Sequence, residues 1–159
     1  MSNFRIYVAG AWPAREEIRE YQKILTQNIP NAVITHDWTQ SESIGWSERT
    51  KEDNDKFAEL DLWKGVGSAD CVVAIKTRKD YAYRGTEREI GFAQGRGIPV
   101  FILAHNDLDS YVCKNVFYHL TRGQTTYEKW EPLMDAVVKL ANKKANSGKL
   151  LREMLHEEC

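Results

Sequence analysis

"CVVAIKTRKDYAYRGTEREIGFAQGRGIPVFIL", residues 71–103, holds two apolar runs separated by one helical stretch. "CVVAI" (71–75) has no polar position, so both of its faces are to be buried, as at the centre of a parallel sheet. "TEREIGFAQGRG" (86–97) reads as a helix and "IPVFILA" (98–104) as a second buried strand. A strand, a helix and a strand at this spacing make a crossover between parallel neighbours.

The same alternation extends to both sides. "FRIYVAG" (4–10) is β-branched and aromatic and ends on glycine, the pattern of a first strand. "PAREEIREYQKILTQ" (13–27) places Ile18, Tyr21 and Leu25 at helical spacing, with Pro13 suited to a first turn. "NAVITHD" (31–37) predicts a short second strand, and 38–54 a long polar loop carrying Trp38 and Trp46. Residues 55–70 predict a helix broken at Gly65 and Gly67, and "NVFYHL" (115–120) a fifth strand. Helices are expected over 126–144 and, separately, over 148–158. The sum is a single α/β domain over 1–159, a doubly wound and mostly parallel sheet of five strands with helices on both faces. Such sheets bind ligands at the carboxyl ends of their strands, near the switch in strand order.

Composition narrows the function classes. A formal charge of −1 supplies no field for nucleic-acid polymers or anionic membranes. No apolar run approaches the ~20 residues of a membrane helix, and "MSNFRIYVAG" lacks a signal-peptide pattern. Cys71, Cys113 and Cys159 are odd in number and widely spaced, which reads as three reduced thiols in a cytoplasmic protein. His36, His105, His119 and His156 show no metal-ligand spacing. His36 and His105 follow apolar strands and read as polar residues at the ligand edge rather than as catalysts. "YVAGAWPAR" (7–15) lacks the further glycines of a dinucleotide fingerprint and the Gly-Lys-Ser/Thr of a P-loop. No Gly-x-Ser-x-Gly elbow for acyl hydrolysis occurs.

Three residues stand where chemistry is expected. Glu89 completes "TERE" (86–89), a Ser/Thr-x-x-Glu capping box, and on that reading only caps its helix. At a helix start on the binding edge the same carboxylate also suits ligand binding or nucleophilic attack. Glu87, two positions away, is the local rival. Trp12, at the turn after the first strand, is either a core plug or a platform for a flat heterocycle. Asp61 is either a solvated helix residue or a proton donor, and Asp70 reads as a strand-entry turn residue.

"IYVAGAW" (6–12), "DLWKGVGSADCVVAI" (61–75) and "GTEREIGFAQGRGIPVFIL" (85–103) together resemble the nucleoside 2-deoxyribosyltransferase family in order and spacing. The resemblance implies a flavodoxin-like fold, and cleavage of the N-glycosidic bond of deoxynucleosides with transfer of the deoxyribosyl group through a covalent glutamyl ester. It places the nucleophile on Glu89, the base-stacking tryptophan on Trp12 and the acidic partner on Asp61, with Tyr7 and Gly10 in the pocket. Gly85 and Thr86 match the turn before the nucleophile, and Asn115 corresponds to an asparagine lent by a neighbouring subunit of a homo-oligomer.

Two departures stand out. The spacing from Asp61 to Asp70 is one residue longer than the family's pattern. Tyr83, followed by Arg84, replaces the aspartate that many of the transferases carry six residues before the nucleophile. Related monophosphate hydrolases carry a small hydroxyl residue there, and Tyr83 fits neither pattern: with Arg84 it is expected either to recognise a phosphate or an unusual base of the substrate, or to mark an altered or lost activity. The resemblance thus implies a deoxyribosyltransferase acting on nucleosides and nucleobases without metal or redox cofactor. The alternatives are a 2'-deoxynucleoside 5'-monophosphate hydrolase with Arg84 or Arg15 on the phosphate, and a non-catalytic nucleotide-sensing module.

Overall fold

The computed structural model describes residues 3–41, 47–104 and 123–157, with side chains as far as 149. Five strands form one sheet: β1 (Phe4–Gly10), β2 (Ala32–Ile34), β3 (Cys71–Lys76), β4 (Val100–Ala104) and β5 (Gln124–Tyr127). Their order is β2-β1-β3-β4-β5 and every neighbouring pair is parallel. This is the doubly wound flavodoxin-like order, whose switch point lies between β1 and β3.

The side chains of β1 alternate between two apolar layers, as the two-residue period of a strand requires. Ile6 and Val8 face Ile18 and Leu25 of α1 (Arg15–Asn28) and Leu133 and Val137 of the C-terminal helix. Tyr7 and Ala9 face Ile90 and Ala93 of α3 (Arg84–Gly95) and Val66. Residues 71–75 are buried throughout, as the unbroken apolar run demands, and so is Lys76 after them. Asp70 is the strand-entry residue expected of it. Its carboxylate accepts from the Arg5 amide at 2.8 Å and meets Lys144 Nζ at 2.6 Å, at the edge of the sheet remote from the strands' carboxyl ends.

Several boundaries differ from the sequence reading. The second strand is only three residues long. The loop after it contains a 3-10 turn at Trp38–Gln40 and stops at Thr50, which caps α2 (Lys51–Ala58) through a capping box with Asp53. The helix expected from 55 starts earlier, and continues as a π-helix over Glu59–Gly65 and a 3-10 turn over Val66–Ser68. The two expected C-terminal helices are one, α4 (Trp130–Glu157). The strand expected at 115–120 lies outside the described residues, and the fifth strand of the sheet is Gln124–Tyr127. Trp46, His105, Cys113, Asn115 and His119 also lie outside the described residues. Among the described residues no helix is long and apolar enough to cross a membrane, and no cluster of three His, Cys, Asp or Glu side chains could hold a metal ion.

Candidate active site

α3 begins two residues earlier than its sequence pattern predicts. Tyr83 takes a left-handed conformation (φ 51°, ψ 32°), and the helix runs from Arg84. This shift puts Thr86 inside the first turn, where it cannot act as the cap. Its hydroxyl instead donates to the carbonyl of Gly10 at 3.2 Å, tying α3 to the end of β1. Gly10 itself has no room for a side chain, since a Cβ would stand 2.5 Å from Ile18 Cδ1. The capping-box reading of Glu89 is therefore overturned.

Glu89 turns instead to the sheet. The hydroxyl of Tyr7, a fully buried residue in the middle of β1, donates to Glu89 Oε1 at 2.7 Å. Burial raises the Glu89 carboxyl from its ordinary 4.5 to about 8, the Tyr7 hydrogen bond opposes that rise, and the negative charge of Asp61 adds to it. The Tyr7 phenol is pushed well above its usual value, first by burial and then by the charges of Glu89 and Asp61. Asp61 lies close enough to Tyr7 for the two to perturb one another. Burial raises its carboxyl, while His36 and the Tyr7 contact act the other way. His36 Nε2 lies 3.4 Å from Asp61 Oδ1. One buried phenol is thus bonded to Glu89 and lies close to Asp61, which a histidine backs. Such a cluster of perturbed groups at the strand ends of a parallel sheet is the expected signature of a functional site.

Glu87, the rival carboxylate, is committed elsewhere. It pairs with Lys76, a fully buried lysine that ends β3. The ammonium of Lys76 also lies 5.9 Å from the ring centre of Tyr83. Tyr83 is buried in the layer between the sheet and α3, and its hydroxyl accepts from the Arg78 amide at 2.8 Å. Burial carries that phenol to about 12. Tyr83 therefore packs inward and closes the loop 77–83, whereas Arg84 and Gly85 are exposed on the first turn of α3.

Trp12 opens a 3-10 turn directly after β1 and is only partly buried. Its ring centre lies 6.0 Å from that of Trp38 at a 40° tilt, and the Arg15 guanidinium lies 5.2 Å above it. Trp38 is anchored by its indole N–H, which donates to the Val8 carbonyl at 2.7 Å. The pair forms a partly open aromatic wall at the end of β1, so Trp12 is not a sealed core plug. Its geometry suits stacking on a planar ring.

The structure thus brings together Glu89, Tyr7 and Asp61, and sets Gly10 and Trp12 at the adjoining strand end. It adds His36 and Trp38, which the sequence reading left as a polar edge residue and a loop residue. Their signal was position: both directly follow the second strand, at the carboxyl edge. Lys76 had a signal too, as a charged residue ending an otherwise apolar strand.

The family model described as Nucleoside 2-deoxyribosyltransferase matches residues 6–147 of the chain. The match spans most of β1, the π-helix, α3 and most of α4. Searches of curated proteins and of solved structures found no match.

Proposed function

The chain belongs to the nucleoside 2-deoxyribosyltransferase family, and from that premise we propose that it breaks the N-glycosidic bond of a 2'-deoxynucleoside and passes the sugar to a second nucleobase through an ester on Glu89. The observation that carries this reading is the Tyr7 hydroxyl held 2.7 Å from Glu89 Oε1, with Asp61 close by.

The chemistry needs an ionised nucleophile and a protonated acid at the same moment. A single proton on the partly buried carboxyl pair meets both needs: it rests on Glu89, whose carboxyl is raised to about 8, and the reactive form is the one in which it has moved to Asp61. Tyr7 then donates to the Glu89 carboxylate and aims it. A Glu89 oxygen forms a bond to the anomeric carbon as the carbon–nitrogen bond breaks. The electron pair of that bond goes to the base nitrogen, which takes the Asp61 proton and spares the base from leaving as an anion. The acceptor base attacks the same carbon from the opposite face, returns its proton to Asp61 and frees Glu89. Two displacements give net retention, by the logic of a retaining glycosidase. Trp12, braced by Trp38, stacks on the base.

A 2'-deoxy-2'-fluoronucleoside with a good leaving base tests the reading. Fluorine destabilises the cationic transition state of both displacements, so an ester that forms should persist. Intact-protein mass spectrometry should then show one added sugar, mapping to the peptide that contains "GTEREIGFA". Discharge by added nucleobase marks a transferase. A label on Glu87, or turnover of natural substrate with no labelled peptide, overturns the assignment.

Arg84 on the first turn of α3 and Arg15 over Trp12 favour a second reading. In it the substrate is a 2'-deoxynucleoside 5'-monophosphate, the arginines hold the phosphate and water replaces the acceptor base. Release of free sugar phosphate without base exchange would identify it.

A further inference from the structure

α2 does not end where its α-helical hydrogen bonding stops. Glu59–Gly65 prolongs it as a π-helix, in which each bond spans five residues rather than four. Such a ring holds one residue more than an α-helical ring.

The π segment closes on Gly65, which is buried and lies flat against the ring of Tyr7. A Cβ on Gly65 would stand 2.6 Å from Tyr7 Cε2 and 2.8 Å from Cδ2, well inside van der Waals contact, and 3.1 Å from the Leu60 carbonyl oxygen. Tyr7 has nowhere to retreat. It is fully buried on a central strand, flanked by β2 and β3. A ring pushed from its place carries its hydroxyl away from the two carboxyls. Gly67, two residues further on, differs. Its Cβ would meet the Leu62 carbonyl oxygen at the same 3.1 Å, but otherwise only Phe92, at 3.5 Å. Both glycines crowd the helix backbone alike, and only Gly65 crowds the site.

We propose that Gly65 is a positioning residue: by presenting no side chain at the end of the π-helix, it lets the Tyr7 ring lie where its hydroxyl reaches Glu89. The π-helix is the element that delivers that gap while holding Asp61 in place. For its effect on turnover the inference rests on the proposed role of Glu89, but its geometry does not.

The test is a double-mutant cycle in the full chain with two readouts. The first needs no substrate: titration of the Glu89 carboxyl by carbon-13 NMR on glutamate-labelled protein. Tyr7→Phe should raise the Glu89 midpoint, because the hydrogen bond that opposes burial is gone. Gly65→Ala should raise it in the same direction, and the double variant no further than Tyr7→Phe alone. The second readout is deoxynucleoside turnover. Gly65→Ala should lower kcat by on the order of 100-fold, the scale of a displacement of about 1 Å at a reacting group. KM should change little, and the loss should vanish in the Tyr7→Phe background. Gly67→Ala should leave both readouts unchanged.

A Gly65→Ala protein with the wild-type Glu89 midpoint overturns the proposal, as does an equal further loss in the Tyr7→Phe background. If Gly65→Ala does not fold, Tyr7→Ala with Gly65→Ala should fold as well as Tyr7→Ala alone, since no ring remains to be met. A double variant as unfolded as Gly65→Ala also overturns it. Should the wild type turn over no deoxynucleoside, the proposed reaction fails, while the titration still decides the role of Gly65.

Discussion

The Tyr7 hydroxyl meets the Glu89 carboxylate at 2.7 Å across 82 residues of sequence. One partner stands in the middle of a buried strand and the other on a helix that packs against it. The contact exists because β1 and α3 share an apolar layer in which Tyr7 and Ala9 face Ile90 and Ala93. Packing brings the two polar groups together, and burial then makes both hold their protons more tightly.

Glu89→Gln should abolish turnover and stabilise the fold as pH rises. The folded carboxyl holds its proton to about pH 8, whereas its ordinary value is 4.5. Between those values the folded state carries a proton that the unfolded state has released, so wild-type stability falls with rising pH. Glutamine does not titrate and its amide oxygen still accepts from Tyr7. The melting temperature of the variant relative to wild type should therefore climb from about pH 5 to about pH 9. Calorimetric melting curves that stay parallel over that range would contradict the buried carboxyl.

His36→Ala should narrow the pH profile of kcat/KM from its acid side. Activity needs one proton on the Glu89–Asp61 pair. The last proton leaves near the Glu89 value of about 8, which sets the alkaline limb. A second proton, binding to Asp61, sets the acid limb. His36 acts to lower the Asp61 carboxyl, so its removal lets Asp61 take that second proton at higher pH. The acid limb should move up while the alkaline limb stays. An acid limb that moves down, or does not move, would remove His36 from the site.

Trp12→Ala should weaken nucleoside binding by about 1–3 kcal/mol, the usual worth of a base stacked on an aromatic side chain. Titration calorimetry in the Glu89→Gln background, where turnover is blocked, reads this directly. The fold should be little affected, because Trp38 keeps its own anchor on the Val8 carbonyl. Unchanged affinity would leave the aromatic wall without a role in recognition.

Apolar runs were enough to read the sheet. β1, β3 and β4 each carry too little polarity to expose a face, so their place in a parallel sheet follows from burial alone. Trp12, Asp61 and Glu89 were legible as candidates for the same reason, since each lies beside a strand that had to be central. What each of them meets was decided elsewhere. "TERE" is a valid cap by local pattern, and only the left-handed Tyr83, which starts the helix early, frees Glu89 for a tyrosine far away in sequence. The role of His36 likewise depends on a carboxylate on another element. The π-helix was not legible at all: local pattern does not say whether an N–H bonds four or five residues back, and the close approach of Gly65 to the ring of Tyr7 appears only in the packed fold. Local sequence determines which surfaces must be buried and hence the fold. Which polar groups meet inside it is decided by contacts between distant segments, and these exist only once the layers have packed.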